Sequence, residues 1–344
     1  MPSTPPISQA PIPPALIPPA LAQRHYSLDY IRALCILYLM GFWHLFEYTG
    51  IPRAIYNNDI TRRGATIDLA LFCLISGFLC ARKPIVGAKG LRGYYVGRFW
   101  RLYPPFLAAG LLFIFMHVDE PKPVIHALAL ISMFTHVAPR TLWFIDMLVM
   151  FYAAAPLFLW ARDKVWMCLL TLGIVLGACY AYDQTTHLLD RRLMLFLPCF
   201  VAGILFAGKT PKLTWTLGAL LVVLWGLSAW LTVLIPYEQL KDSLLQVPLG
   251  VVSAVLLFLL IYRFADQLKP PAVVLWVSYA SYFMYLFHRP LYTIVTPWLG
   301  GLSTPVRTTV LVAAIVPLLI VIAYLLQKGY DWLISRFVLR AKEA

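Results

Sequence analysis

The 344-residue sequence predicts an all-α polytopic membrane protein, a helical bundle with about ten transmembrane helices. Two observations carry that prediction. Hydrophobic residues make up 61% of the chain and charged residues 12%, for a mean hydropathy of +0.77. Soluble domains of this length do not have that balance. Apolar stretches long enough to cross a bilayer also recur from Leu28 to Leu326. Only helices and closed barrels satisfy their backbone groups in lipid, and these runs are too long and too uniformly apolar for barrel strands.

The chain divides into a disordered Pro-rich tail over 1–24 and one transmembrane domain over 25–344. Residues 1–23 hold eight of the 26 prolines and almost no charge, a composition that favours an extended, flexible chain. The tail lacks the basic start and unbroken apolar centre of a signal peptide. Spans are expected at 27–48, 64–82, 102–118, 141–161, 166–183, 193–208, 213–235, 245–264, 273–298 and 306–328. Residues 124–137 are apolar but short, and read as a half-helix or interfacial segment. No internal repeat stands out, and the chain stops 16 residues after the last span, which suggests a single module.

Net charge is +13, which in a membrane protein speaks first of topology. With the N-terminus in the cytoplasm, inside segments hold 17 Lys and Arg against ten outside, which predicts cytoplasmic N- and C-termini. No soluble basic domain is present to bind nucleic acid, and membrane lipids are the natural partners of the basic loops. The six cysteines lie in or beside apolar runs with no metal-ligand spacing, and read as small buried hydrophobes.

Titratable groups inside apolar helices are costly and mark function by default. The first span carries four: Asp29, Arg32, His44 and Glu47. His44 lies twelve residues beyond Arg32, about 18 Å up the helix axis. Glu47, at i+3, and Asp68, at the start of the second span, are both candidates to orient the imidazole of a general base. Either carboxylate also fits a solvated helix end. Arg98 and Arg101 share a helical face at the mouth of the third span. Their forks suit phosphate oxygens, and lipid headgroups use the same chemistry. Asp146 sits inside a span. Tyr285 and His288 lie in SYASYFMYLFHRP, where the tyrosines fit either an aromatic belt or a hydroxyl-substrate site. No Ser-His-Asp order, Walker loop, HExxH or GxGxxG occurs, so hydrolase, NTPase, zincin and nucleotide-redox chemistry have no support.

Six stretches, taken in order, resemble the membrane acyltransferase-3 family. LDYIRALCILYLMGFWH resembles its first-helix signature, and IDLALFCLISGFL its second helix. GRFWRLYP is similar to its basic stretch at the third helix, and LWFIDMLVMFYAAAPL to a later helix. LMLFLPCFVAGILF and SYASYFMYLFHRP resemble two more. The resemblance implies a ten-helix integral membrane enzyme that moves acyl groups, mostly acetyl, from acyl-CoA to hydroxyls of surface glycans or lipid-linked glycosides. It implies His44 as the essential base with Arg32 as its companion, Arg98 and Arg101 as the basic motif, and Ser76 and Gly77 as a turn motif on the donor side. The family sets ten residues between its first arginine and histidine; here eleven intervene. The extra residue adds about 100° of rotation on a regular helix, and a π-bulge at Gly41 would accommodate it.

The sequence therefore predicts an O-acyltransferase, with O-acetyl transfer first, in a bacterial inner membrane. It would use acyl-CoA as co-substrate and no metal, and a glycan or lipid-linked saccharide as acceptor. His44, Glu47, Arg32 and Asp68 form the expected catalytic group. Arg98, Arg101, Ser76 and Gly77 form the donor site, and Asp146, Tyr285 and His288 the acceptor site. A transporter or flippase of a lipid-linked sugar is the alternative, since intramembrane charges also line transport pathways.

Overall fold

The computed structural model describes residues 25–82, 84–207, 214–235 and 240–336. The Pro-rich tail expected over 1–24 lies outside them. The described chain is helical, with no strand among the described residues.

The first span begins as α1 (Tyr26–Tyr38), passes through one π turn (Leu39–Trp43), and ends in a 3₁₀ turn (Leu45–Tyr48). After a short helix α2 (Arg53–Tyr56), α3 (Asp59–Cys80) returns through the bundle. It starts five residues before the expected span. Asn58 caps it reciprocally: the Asn58 side chain accepts from Thr61 N at 3.0 Å and Thr61 Oγ1 accepts from Asn58 N at 3.1 Å.

The third span departs most from expectation. α4 covers Gly87–Phe115, so the basic segment before Arg98 is helix where a loop was expected. Tertiary bonds hold it: Tyr94 and Tyr95 donate to the carbonyls of Tyr152 and Ala153, both at 2.9 Å. The apolar segment that follows is a half-helix, α5 (Pro121–Leu128), then a single 3₁₀ turn at Ser132–Phe134. It folds back along α4, where Tyr103 Oη donates to Leu128 O at 2.9 Å.

The remaining helices are α6 (Trp143–Ala161), α7 (Val165–Thr186), α8 (Arg192–Phe206), α9 (Trp215–Leu234) and α10 (Leu240–Ala265). They are followed by α11 (Ala272–Val295), α12 (Thr304–Val310) and, across a second π turn, α13 (Val316–Ile334). Helices stand at every expected span, and among the described residues seven are long and apolar enough to cross a membrane. The other three differ for identifiable reasons. α4 is basic in its first half, α8 has only 15 residues, and α11 is rich in hydroxyl and basic side chains.

The core is centred on α3, which packs tightly against α8. A Cβ on Gly77 would lie 1.9 Å from Phe200 O, and one on Gly203 would lie 1.9 Å from Leu74 O. The crossing therefore needs glycine on both helices. One end of the bundle gathers the start of α1 and the end of α10, where Ser27 Oγ donates to Asp266 Oδ1 at 3.0 Å. The start of α11 joins them through Ser278 Oγ, which donates to Asp29 at 2.7 Å. The early part of α4 and the end of α13 meet at the same end, where Tyr330 Oη donates to Trp100 O.

Candidate functional site

The π turn decides where His44 points. The His44 amide bonds to Leu39 O at 2.8 Å, five residues back, where a regular helix would use Met40 O. One residue is absorbed there, and Gly41 sits within the turn, as the Arg32–His44 spacing had suggested. At Gly41 no atom lies within 4 Å of an added Cβ, so the turn is not forced by crowding at that point.

His44 then meets His288 of α11. The two rings lie 11° from parallel with centroids 4.9 Å apart, and His44 Nδ1 is 3.0 Å from His288 Nε2. His288 Nδ1 is 2.8 Å from the Tyr285 carbonyl. A carbonyl only accepts, so His288 Nδ1 carries hydrogen and donates. A neutral His288 then offers a lone pair at Nε2, and His44 Nδ1–H donates to it. This leaves a lone pair on His44 Nε2. His288 is fully buried while His44 is only partly so. The outer imidazole is therefore the one that can meet a substrate, and the inner one fixes its tautomer.

Tyr285 backs the pair. Its hydroxyl donates to Thr141 O at 2.8 Å, and its ring lies 5.9 Å from that of His288. Asp146 is fully buried on α6 and accepts from Ser132 Oγ, while its Oδ1 has no partner. Neither side chain touches His44.

The two carboxylates proposed as orienters lie elsewhere. Glu47 accepts from Arg289 Nη1 at 2.9 Å and faces Arg140 Nη1 at 3.4 Å, so its partners are arginines, one of them the chain neighbour of His288. Asp68 lies beside Cys35, nine residues before His44 and about 13 Å lower along the axis. Its Oδ2 is buried without a partner. Arg289, 5% exposed, was not singled out from the sequence, where it counted only as a topology charge. A charge next to His288 in an apolar run was the signal available.

At the opposite end, Arg32 lies within the electrostatic reach of Arg101 and Arg98, with Asp29 as the nearby carboxylate. A cavity of about 260 Å³ opens there, lined by His25, Leu28, Asp29, Arg32, Arg82, Ser278 and Tyr279. Guanidinium groups gathered this way repel one another and favour a bound anion. Arg98 stacks over the Tyr152 ring at 4.4 Å and forms one wall of a second, apolar cleft of about 530 Å³ between α4 and α6, roofed by Leu128–Leu130. Gly77 belongs to the α3–α8 crossing, its side-chain space filled by Phe200 O, and Ser76 precedes it on α3. No group of three or more metal-ligating side chains occurs among the described residues.

A paired imidazole within a membrane bundle, with a basic anion mouth about 18 Å along the same helix, is the equipment of a membrane-embedded group transferase. A family model described as an acyltransferase domain, that of the acyltransferase-3 family, matches residues 25–328, and the chain belongs to that family. No curated protein and no solved structure matches the chain.

Proposed function

We propose that this membrane acyltransferase moves an acyl group, acetyl in the simplest case, from acyl-CoA to a hydroxyl of a glycan or lipid-linked saccharide. The observation that carries this reading is the lone pair left on His44 Nε2 by the His44–His288–Tyr285 chain of bonds. The acceptor hydroxyl donates to that nitrogen. As its oxygen attacks the thioester carbonyl, a C–O bond forms, the C–S bond breaks, and His44 takes the proton. The leaving thiolate of CoA then receives it. Between those events the imidazolium keeps its Nδ1–H bond to His288.

Arg32 and Arg82, which line the cavity, hold the CoA phosphates together with Arg98 and Arg101 of the neighbouring α4. The pantetheine arm then runs along the first span, covering the rise of about 18 Å to His44. Positive-inside counting supports a cytoplasmic mouth in a bacterial inner membrane, with both termini on that side. Glu47 and Arg289 border the acceptor side, and Tyr285 braces His288. Asp146 stands deeper in the wall.

Purified protein in detergent, given labelled acetyl-CoA, tests the reading through release of CoA and transfer of label. His44→Ala is expected to abolish both while expression and melting stay near wild type. Full activity in that variant would remove His44 as the base. Mass spectrometry of surface glycans from a deletion strain identifies the acceptor.

A further inference from the structure

We infer that Tyr292 is a positioning residue, a latch that holds the first span in its π register and so keeps His44 against His288. The inference rests on the reading of His44 as the base. Because His44 N–H bonds to Leu39 O, the Met40 carbonyl loses the partner a regular helix would give it. Met40 is fully buried, and an unpaired buried carbonyl is destabilising. The Tyr292 hydroxyl fills that vacancy, donating to Met40 O at 2.9 Å from a fully buried position.

The two registers are thereby linked to one hydroxyl. If the span relaxed to a regular helix, Met40 O would take back the His44 amide, and the Tyr292 O–H would have to share that oxygen with it. His44 would at the same time swing by about 100° and leave His288. The latch and its target also share an element: Tyr292 lies one turn beyond His288 on α11, with ring centroids 5.9 Å apart. A shift of α11 relative to the first span therefore moves both together.

Tyr292→Phe removes the hydroxyl and keeps the ring. With acetyl-CoA as the probe, kcat for CoA release is expected to fall about tenfold, the value of roughly one hydrogen bond. KM for acetyl-CoA should not change. In a His288→Ala background the same substitution should cost nothing further, because there is no partner left to face. Wild-type kcat in folded Tyr292→Phe overturns the inference. So does a tenfold loss that persists in the His288→Ala background, since the hydroxyl would then act elsewhere. Deleting Gly41 offers a second approach that does not depend on how Tyr292→Phe folds. It should replace the π turn by a regular one in which the His44 amide still meets Leu39 O, now four residues back, so His44 keeps its direction and kcat should stay near wild type. A folded deletion protein whose kcat falls tenfold or more, or in which Tyr292→Phe still costs tenfold, also overturns the latch. His44→Ala, run alongside, separates the two readings: activity there removes the base itself, whatever Tyr292 does.

Discussion

Truncating His288 to alanine leaves the Nδ1–H of His44 pointing at a void. The ring removed is fully buried and no other acceptor contacts that nitrogen, so the bond of 3.0 Å is lost outright. A polar group left unpaired in a buried site costs about 1–3 kcal/mol. If His44 is the base, its imidazole becomes a cation in the transition state, so the same bond is worth more there than in the ground state, and the loss falls on kcat. The expected fall is roughly 10- to 100-fold. KM for acetyl-CoA should stay within about twofold, because the basic mouth proposed for CoA lies about 18 Å away along the helix. His288→Gln places a carbonyl oxygen near the former Nε2 position and should recover part of the rate. Steady-state CoA release, with melting temperature measured in parallel, reads both parameters. Wild-type kcat in His288→Ala would refute the relay. Equal losses in kcat and affinity would assign the effect to general disruption.

Other outcomes follow from the same geometry. Arg98→Ala and Arg101→Ala should each weaken CoA binding by roughly tenfold or more, one charge-assisted bond apiece. Arg98→Lys, which keeps the charge without the fork, should rescue only partly; calorimetric titration of CoA into these proteins reads it, and unchanged affinity in both alanine variants would free these residues for lipid headgroups. Gly77→Ala should lower stability by about 3 kcal/mol, the upper part of the overpacking range, because the atom met is backbone. Gly41→Ala, where nothing lies within 4 Å, should melt like wild type. Glu47→Gln should lower kcat, because it loosens Arg289 beside the histidine pair, whereas Asp68→Asn should leave kcat within about twofold at its lower level on the axis. Equal losses from the two would contradict the placement of either carboxylate.

The first span shows how far sequence reasoning reaches. Its register was legible because two local facts met: an extra residue between Arg32 and His44, and a glycine inside that interval. The half-helix over Pro121–Leu128 was legible from length alone. The beginning of α4 was not, because glycines and basic residues read as loop, while the carbonyls that fix it belong to α6. His288 had been marked for the acceptor. Its bond to His44 joins residues 244 positions apart, and nothing local encodes that pairing. Glu47 looked like the orienter because i+3 spacing puts it on the face of His44. Arg289, one residue past His288, captures it instead. Gly77 carried a motif whose physical reason became visible only when Phe200 O was found in its side-chain space.

The crossing of Gly77 with Gly203 also has a mechanical meaning. Main chain rests on main chain, with no rotamer between the helices to absorb a displacement. α3 and α8 therefore behave as one keel. Any relative motion of the helices falls to seams where side chains still separate them. The apolar cleft between α4 and α6 is such a seam, and it runs from Arg98 up to the roof at Leu128–Leu130. Two missing methyl groups on one flank thus decide which flank yields.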